Sequence, residues 1–264
     1  MHEEYYPNGQ LATQIEYSHN SISGHFKKWD YYGNITNEIP YNSGLAEGDG
    51  KWYKDKNLEY EAHYEQDKLQ GKTTSYFYNG QKARESMYVD DKRNGNSDYF
   101  SPEGIFMYRL RYVDNTLKAY SYLDKSGNMI PEVPITDATS EIKTYYPNGN
   151  VSAIIPLYRG IYNGKVISYY SSGSVLHEGM YKFDENEGYD KNYYPNNKLR
   201  ELTNYTSNSR NGLYEMYNEN GKKQKSGNYF MDNEEGEWKI YNTDGSIKEV
   251  LTYRNGIIYD IKKI

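Results

Sequence analysis

The pentapeptide Tyr5-Tyr6-Pro7-Asn8-Gly9 returns unchanged at Tyr145–Gly149. Looser copies lie between and beyond: YFYNG at Tyr76–Gly80, YYSSG at Tyr169–Gly173, YYPNN at Tyr193–Asn197, YNENG at Tyr217–Gly221 and YNTDG at Tyr241–Gly245. Aligned on this turn, one position recurs at Tyr5, Trp29, Trp52, Tyr76, Phe100, Leu123, Tyr145, Tyr169, Tyr193, Tyr217 and Tyr241, in steps of 22 to 24 residues. A second tyrosine register runs through Tyr17, Tyr41, Tyr64, Tyr88, Tyr112, Tyr158, Tyr181, Tyr205, Tyr229 and Tyr253. A glycine usually follows it, as at Gly24, Gly71, Gly95, Gly188, Gly212 and Gly236. Self-similarity at a fixed period of this length is the mark of a repeat architecture.

Each copy spells a β-hairpin. Proline suits the first central position of a type I turn, and the glycine two residues later suits the left-handed position of a three-residue loop. That loop pairs Tyr6 with Gln10 and sets Tyr5 across from Leu11. The following strand alternates, with Leu11, Thr13, Ile15 and Tyr17 on one face and Gln10, Ala12, Gln14 and Glu16 on the other. A second turn, of the form D-x-K-x-x-G, closes one hairpin onto the next. No stretch sustains a helical period. The expectation is an all-β, elongated tandem array of about eleven antiparallel hairpins.

Strand alternation places adjacent tyrosines on opposite faces. The Tyr5 register, sharing a face with Leu11, Ile35 and Val151, is expected to form the core. The next row is Tyr6, Asp30, Tyr53, Phe77, Ser101, Asp124, Tyr146, Tyr170, Tyr194, Asn218 and Asn242. It mixes rings with acids and amides and is expected to face water.

One copy breaks the pattern. After Gly127, the stretch NMIPEVPITDATSEIK lacks the second-register tyrosine and its glycine, and two prolines cannot both sit in a central strand. The expected organisation is a first array over 1–129, a Pro-containing joint over 130–141 and a second array over 142–264. The alternative is a bulged hairpin inside one continuous sheet.

Composition narrows the function. The chain has 264 residues, 34 tyrosines, no cysteine and a net charge of -6. Leu, Ile, Val and Phe make up fewer than one residue in five, so tyrosine rings must supply much of the packing. Without cysteine there are no disulfides, thiolate metal sites or cysteine nucleophiles. No apolar run is long enough to span a bilayer as a helix. No basic face suited to nucleic acid is evident. The N-terminus shows no signal peptide, so the expected location is cytoplasmic, or extracellular or at the cell surface had a leader been removed.

The G-x-[WY]-x-x-[YW]-[YF]-x-N-G core, the following E-x-x-Y and the second glycine resemble the bacterial variant of the MORN repeat. Gly236–Gly256 and Gly71–Gly95 carry the pattern well, and the likeness covers nearly the whole chain outside 130–141. Bacterial proteins built of this repeat are grouped as YwqK-type antitoxins, which implies binding and neutralising a toxin. MORN repeats elsewhere are linked to lipid, but this chain lacks the basic enrichment that anionic lipid would want.

Catalytic patterns are missing. His2, His19, His25, His63 and His177 form no recognisable metal or acid–base motif, and the acids of Asp184–Gly188 and Asp232–Gly236 read as solvated turn residues. The expectation is therefore no enzyme, no cofactor and no metal. Function falls to a surface that binds another protein, a toxin-like partner or a surface ligand, with self-association also compatible. The candidate contact residues are Tyr146, Tyr170 and Tyr194, followed by Tyr6, Tyr53 and Phe77. The alternative is a secreted or cell-surface structural protein that binds glycan or host protein.

Overall fold

The computed structural model describes residues 1–136 and 139–264; positions 137 and 138 of the expected joint lie outside the described residues. The chain divides into two units, one of residues 1–122 with 129–135, the other of residues 123–128 with 136–264. Each holds one antiparallel sheet in which neighbours in sequence are neighbours in space. The first has 13 strands, from His2–Tyr5 to Val133–Pro134, and the second 12, from Ser140–Tyr145 to Ile257–Lys263. Parts of the 130–141 stretch are thus paired: Val133–Pro134 lies beside Thr116–Ser121, and Ser140 opens the second sheet.

The first turn forms as its residues dictate. Gly9 donates to the Tyr6 carbonyl, Tyr6 donates to the Gln10 carbonyl, and Gly9 sits at φ +81°. The second turn is a two-residue loop with both residues left-handed, such as Asp90-Asp91 (φ 48° and 66°) and Ser207-Asn208 (46° and 68°). These are type I′ hairpin turns, whose twist matches that of the strands they join. The glycine after the second register has its own task. Gly95, at φ +113°, stands at a bulge opposite Tyr112, a backbone position that L residues avoid.

The expected face assignment is inverted, and a bulge is the reason. Tyr5 pairs with Leu11 but Glu4 pairs with Thr13, so Ala12 is an extra residue. Every later residue of the strand changes face. Thr13 and Ile15 go to the packed face, while Leu11 remains with Tyr5 on the other. The hairpin at Gly48–Lys54 departs once more, with a two-residue Asp55-Lys56 loop that sets Tyr53 across from Leu58 and Trp52 across from Tyr60. Tyr53, not Trp52, therefore takes the place of Tyr5 there. In the second sheet the second-register position belongs to Leu157, paired with Tyr162 and buried, and Tyr158 stands beside the turn.

The packed face is a single aromatic layer over small residues. Pairing sets Gly50, Ala62, Thr73, Ser86, Ser97 and Leu110 side by side across the first sheet. Large side chains from flanking rows fold down over such positions. In the second sheet Trp238 is wholly buried over Gly227, where an added Cβ would run into the indole. Tyr214, Tyr229 and Leu251 complete that cluster, with ring centroids 5.4 and 4.9 Å from the indole for the two tyrosines. The other face carries ion pairs between strands: Lys27–Glu38, Arg109–Asp98, Lys165–Glu178 and Lys223–Glu215.

Candidate protein-contact surface

The expected contact rings do not stand free in solvent. Tyr146, Tyr170 and Tyr194 are buried, at 2%, 1% and 8% exposure, and Tyr6, Tyr53 and Phe77 are half-buried. Each of the three buried rings reaches to the next repeat, where its hydroxyl donates to a backbone carbonyl: Tyr146 to Tyr169 at 2.7 Å, Tyr170 to Tyr193 at 2.7 Å and Tyr194 to Tyr217 at 2.8 Å. Tyr6 does the same to Trp29. Asparagines of the turn run alongside, Asn148 to Ser171 and Asn196 to Glu219. The acids and amides of this row do a different job. Asp30 accepts from the backbone N–H groups of Tyr32 and Asn34, and Asn218 from those of Asn220 and Lys222. One position thus has two solutions, a ring that staples to the next hairpin or a side chain that caps its own turn.

The turn acids at the opposite edge are exposed, as expected, and are staples as well. Asp232 donates its N–H to the Arg210 carbonyl and accepts from the Arg210 N–H, both at 3.0 Å. Asp91 with Leu69, Asn208 with Asn186 and Asp184 with Tyr162 repeat the pattern. Glu187 and Glu235 add a third bond, accepting from the N–H groups of Ser207 and Asn255. Both edges of each sheet are therefore laced from repeat to repeat.

What these duties leave over is the first position of the type I′ turn and the residue before it. In most copies this pair is small or polar, as at Ser18-His19, Asn42-Ser43 and Thr206-Ser207. In the second sheet several are large and apolar. Tyr158, Phe183, Phe230 and Met231 are 41%, 55%, 53% and 66% exposed. Phe183 and Met231 stand at φ 52° and 47°. A bulky side chain costs about 1–2 kcal/mol in that conformation, where Asn, Asp or Gly would cost less. Tyr158 meets Phe183 edge-on at 6.1 Å, so two successive turns share one apolar patch. Arg159 lies over the Tyr158 ring. The residue pattern held this signal, a Phe or Met where sibling turns carry Ser, Asp or Asn, but it emerges only once the turn type is known.

The packed face of the second sheet also holds an ionisable pair. His177 Nε2 lies 2.7 Å from Asp190 Oδ2. Burial works against the charged imidazole, but the Asp190 carboxylate outweighs it and holds the His177 pKa above its ordinary value. Among the described residues no group of three or more His, Cys, Asp or Glu side chains is placed to hold a metal ion. No helix among them is long and apolar enough to cross a membrane.

A family model described as MORN repeat variant matches residues 2–19, 69–90, 139–158, 162–183, 187–206, 210–230 and 234–255, more than half of the chain. No relative is found among curated proteins. Among solved structures, the crystal structure of TcdB2-TccC3-Cdc42 aligns over 96% of this chain and 15% of its own, at 14% identity and a TM-score of 0.18. The crystal structure of TcdB2-TccC3 aligns over 94% and 17%, at 10% identity and a TM-score of 0.20. The Photorhabdus luminescens Tc holotoxin pore carrying the TccC3-D651A mutation aligns over 96% and 17%, at 12% identity and 0.15. The chain spans only about a sixth of the length of these chains.

Proposed function

Because the chain belongs to the MORN repeat variant family, we propose that it is a non-catalytic repeat module that binds another protein and neutralises it, as an antitoxin or immunity protein does. The observation that carries this reading is the apolar patch at the turn edge of the second sheet. Phe183 and Met231 hold exposed, strained positions that the fold fills elsewhere with small or polar residues, and a contact outside the chain would account for them. Aromatic and Met side chains suit such a contact, since they bring large area at modest entropic cost. The reading places the protein in the cytoplasm, where a toxin-like partner would be met before it acted.

The test exchanges the two turn residues for those of sibling turns, in the double variant Phe183→Asp and Met231→Asn. Partner protein is first isolated from the source cell by affinity capture and then titrated against both forms. The variant should fold at least as stably as the parent and bind at least tenfold more weakly, about 1.4 kcal/mol. Equal affinity would rule out the turn edge as the contact.

A further inference from the structure

On the packed face of the first sheet one cation, Arg84, has no carboxylate counter-ion among the described residues. Arg84 lies between Ser75 and Tyr99 on the neighbouring strands, with Ser86 two residues along on the same face. The residue is half-buried, and the groups around its guanidinium are phenols, Tyr99 as a hydrogen-bond partner with Tyr88 and Tyr60 close by. Several other arginines have carboxylates: Arg109 has Asp98, Arg111 has Glu132 and Arg210 has Asp232, while Arg159 and Arg254 lie over exposed tyrosine rings. The acid next to Arg84, Glu85, cannot serve, because it points to the opposite face and binds Lys72 and Lys82. In the second sheet His177, also on the packed face, is answered by Asp190.

A second observation falls on the same spot. The Ser86 hydroxyl is buried and has no hydrogen-bond partner. A buried polar group left unmatched destabilises the fold. A guanidinium offers five N–H donors in a planar fork, and the phenols around it accept few of them. Donors in excess and an orphaned hydroxyl two residues along the same strand face describe a cradle for an acceptor.

We propose that Arg84 and Ser86 form a binding site for a carboxylate, such as that of a small organic acid or of an acidic side chain on a bound protein. The planar fork matches a carboxylate in bidentate fashion, and the Ser86 hydroxyl supplies a third donor. One cation among phenols and hydroxyls suits a single negative charge better than a phosphate dianion. The site is independent of the turn edge, so loss of either leaves the other intact.

The experiment follows the arginine Nε–Hε signals of the intact chain by nuclear magnetic resonance while sodium acetate, sodium phosphate or sodium chloride is added at constant ionic strength. One signal, assigned by its loss in Arg84→Lys, should move saturably with acetate, less with phosphate and not with chloride. Ser86→Ala, which leaves the buried face intact, should weaken acetate at least threefold. A response to acetate no different from that to chloride would overturn the proposal, as would wild-type acetate affinity in Ser86→Ala. Tighter binding of phosphate would overturn the carboxylate assignment. Should Arg84→Lys fail to fold, Ser86→Ala carries the test. A glutamate-containing peptide that binds more tightly than acetate reports a protein side chain as the source; equal or weaker binding of the peptide reports a small-acid site.

Discussion

Tyr170 shows how much one hydroxyl and one ring can do in a sheet this thin. The ring is buried and the hydroxyl is bonded to the Tyr193 carbonyl on the next hairpin. Tyr170→Phe should cost about 1 kcal/mol, the net worth of one hydrogen bond, and Tyr170→Ala ~3 kcal/mol or more, in denaturant melts. Tyr193→Ala, at a half-buried site, should cost less than Tyr170→Ala; the opposite order would contradict the face assignment. Gly227→Ala should be worse than its size suggests, because the methyl meets the Trp238 ring. None of this was legible from alternation alone. Ala12 looks like an ordinary strand residue, and nothing in its chemistry announces the bulge that exchanges the faces. His177 gives a prediction in pH. Its pKa is raised in the fold, so its pairing with Asp190 stabilises fully below about 6.5 and fades as pH rises through the raised value. Stability measured upward from pH 6 should therefore decline in the parent and be flatter in His177→Gln.

At the scale of the hairpin, the sequence was a better guide. The P-N-G turn, the pairing of Tyr5 with Leu11 and the glycine after the second register are all found as the residue types require. The lacing between hairpins was not legible, because it depends on which side chain lies 22 or 23 residues away across a sheet edge. Asp232 makes the point: as a turn residue it looks solvated, yet it holds the Arg210 backbone by two bonds and the Arg210 guanidinium by another. Asp232→Ala should cost about 1–2 kcal/mol, against a few tenths for Asp55→Ala, a turn acid without such bonds in the structure. The charged face offers an optical readout. Burial, then the bonded carboxylates Glu61 and Glu215, push the phenols of Tyr76 and Tyr217 up to about 12. Tyr193, with Glu178, is likewise pushed up to about 12. A spectrophotometric titration should find these phenols ionising well after the rest. Since the folded values lie above the ordinary one of about 10, stability should fall as pH rises from 10 towards 12. Glu61→Gln should bring Tyr76 down alone.

Across each sheet, every strand touches its sequence neighbours, so stability accrues one hairpin at a time. The lacing has the same period as the strands, which makes the repeat removable. Excising residues 188–211 joins Glu187 directly to Gly212, and every staple then finds an equivalent partner. The Tyr170 hydroxyl meets the carbonyl of Tyr217 in place of Tyr193. Asn186 meets Asp232 in place of Asn208, and Glu187 meets the Met231 N–H in place of that of Ser207. The shortened chain should keep its β circular dichroism and melt cooperatively, with a denaturant slope reduced in proportion to the surface lost. Excising only residues 188–199 removes about one strand and reverses the direction of all that follow. No staple across the cut can then re-form, and the second sheet of this variant should fail to fold beyond it. If the first deletion unfolded as completely as the second, the laced hairpin would not be the unit of stability, and the sheet would have to owe its order to contacts that span several repeats.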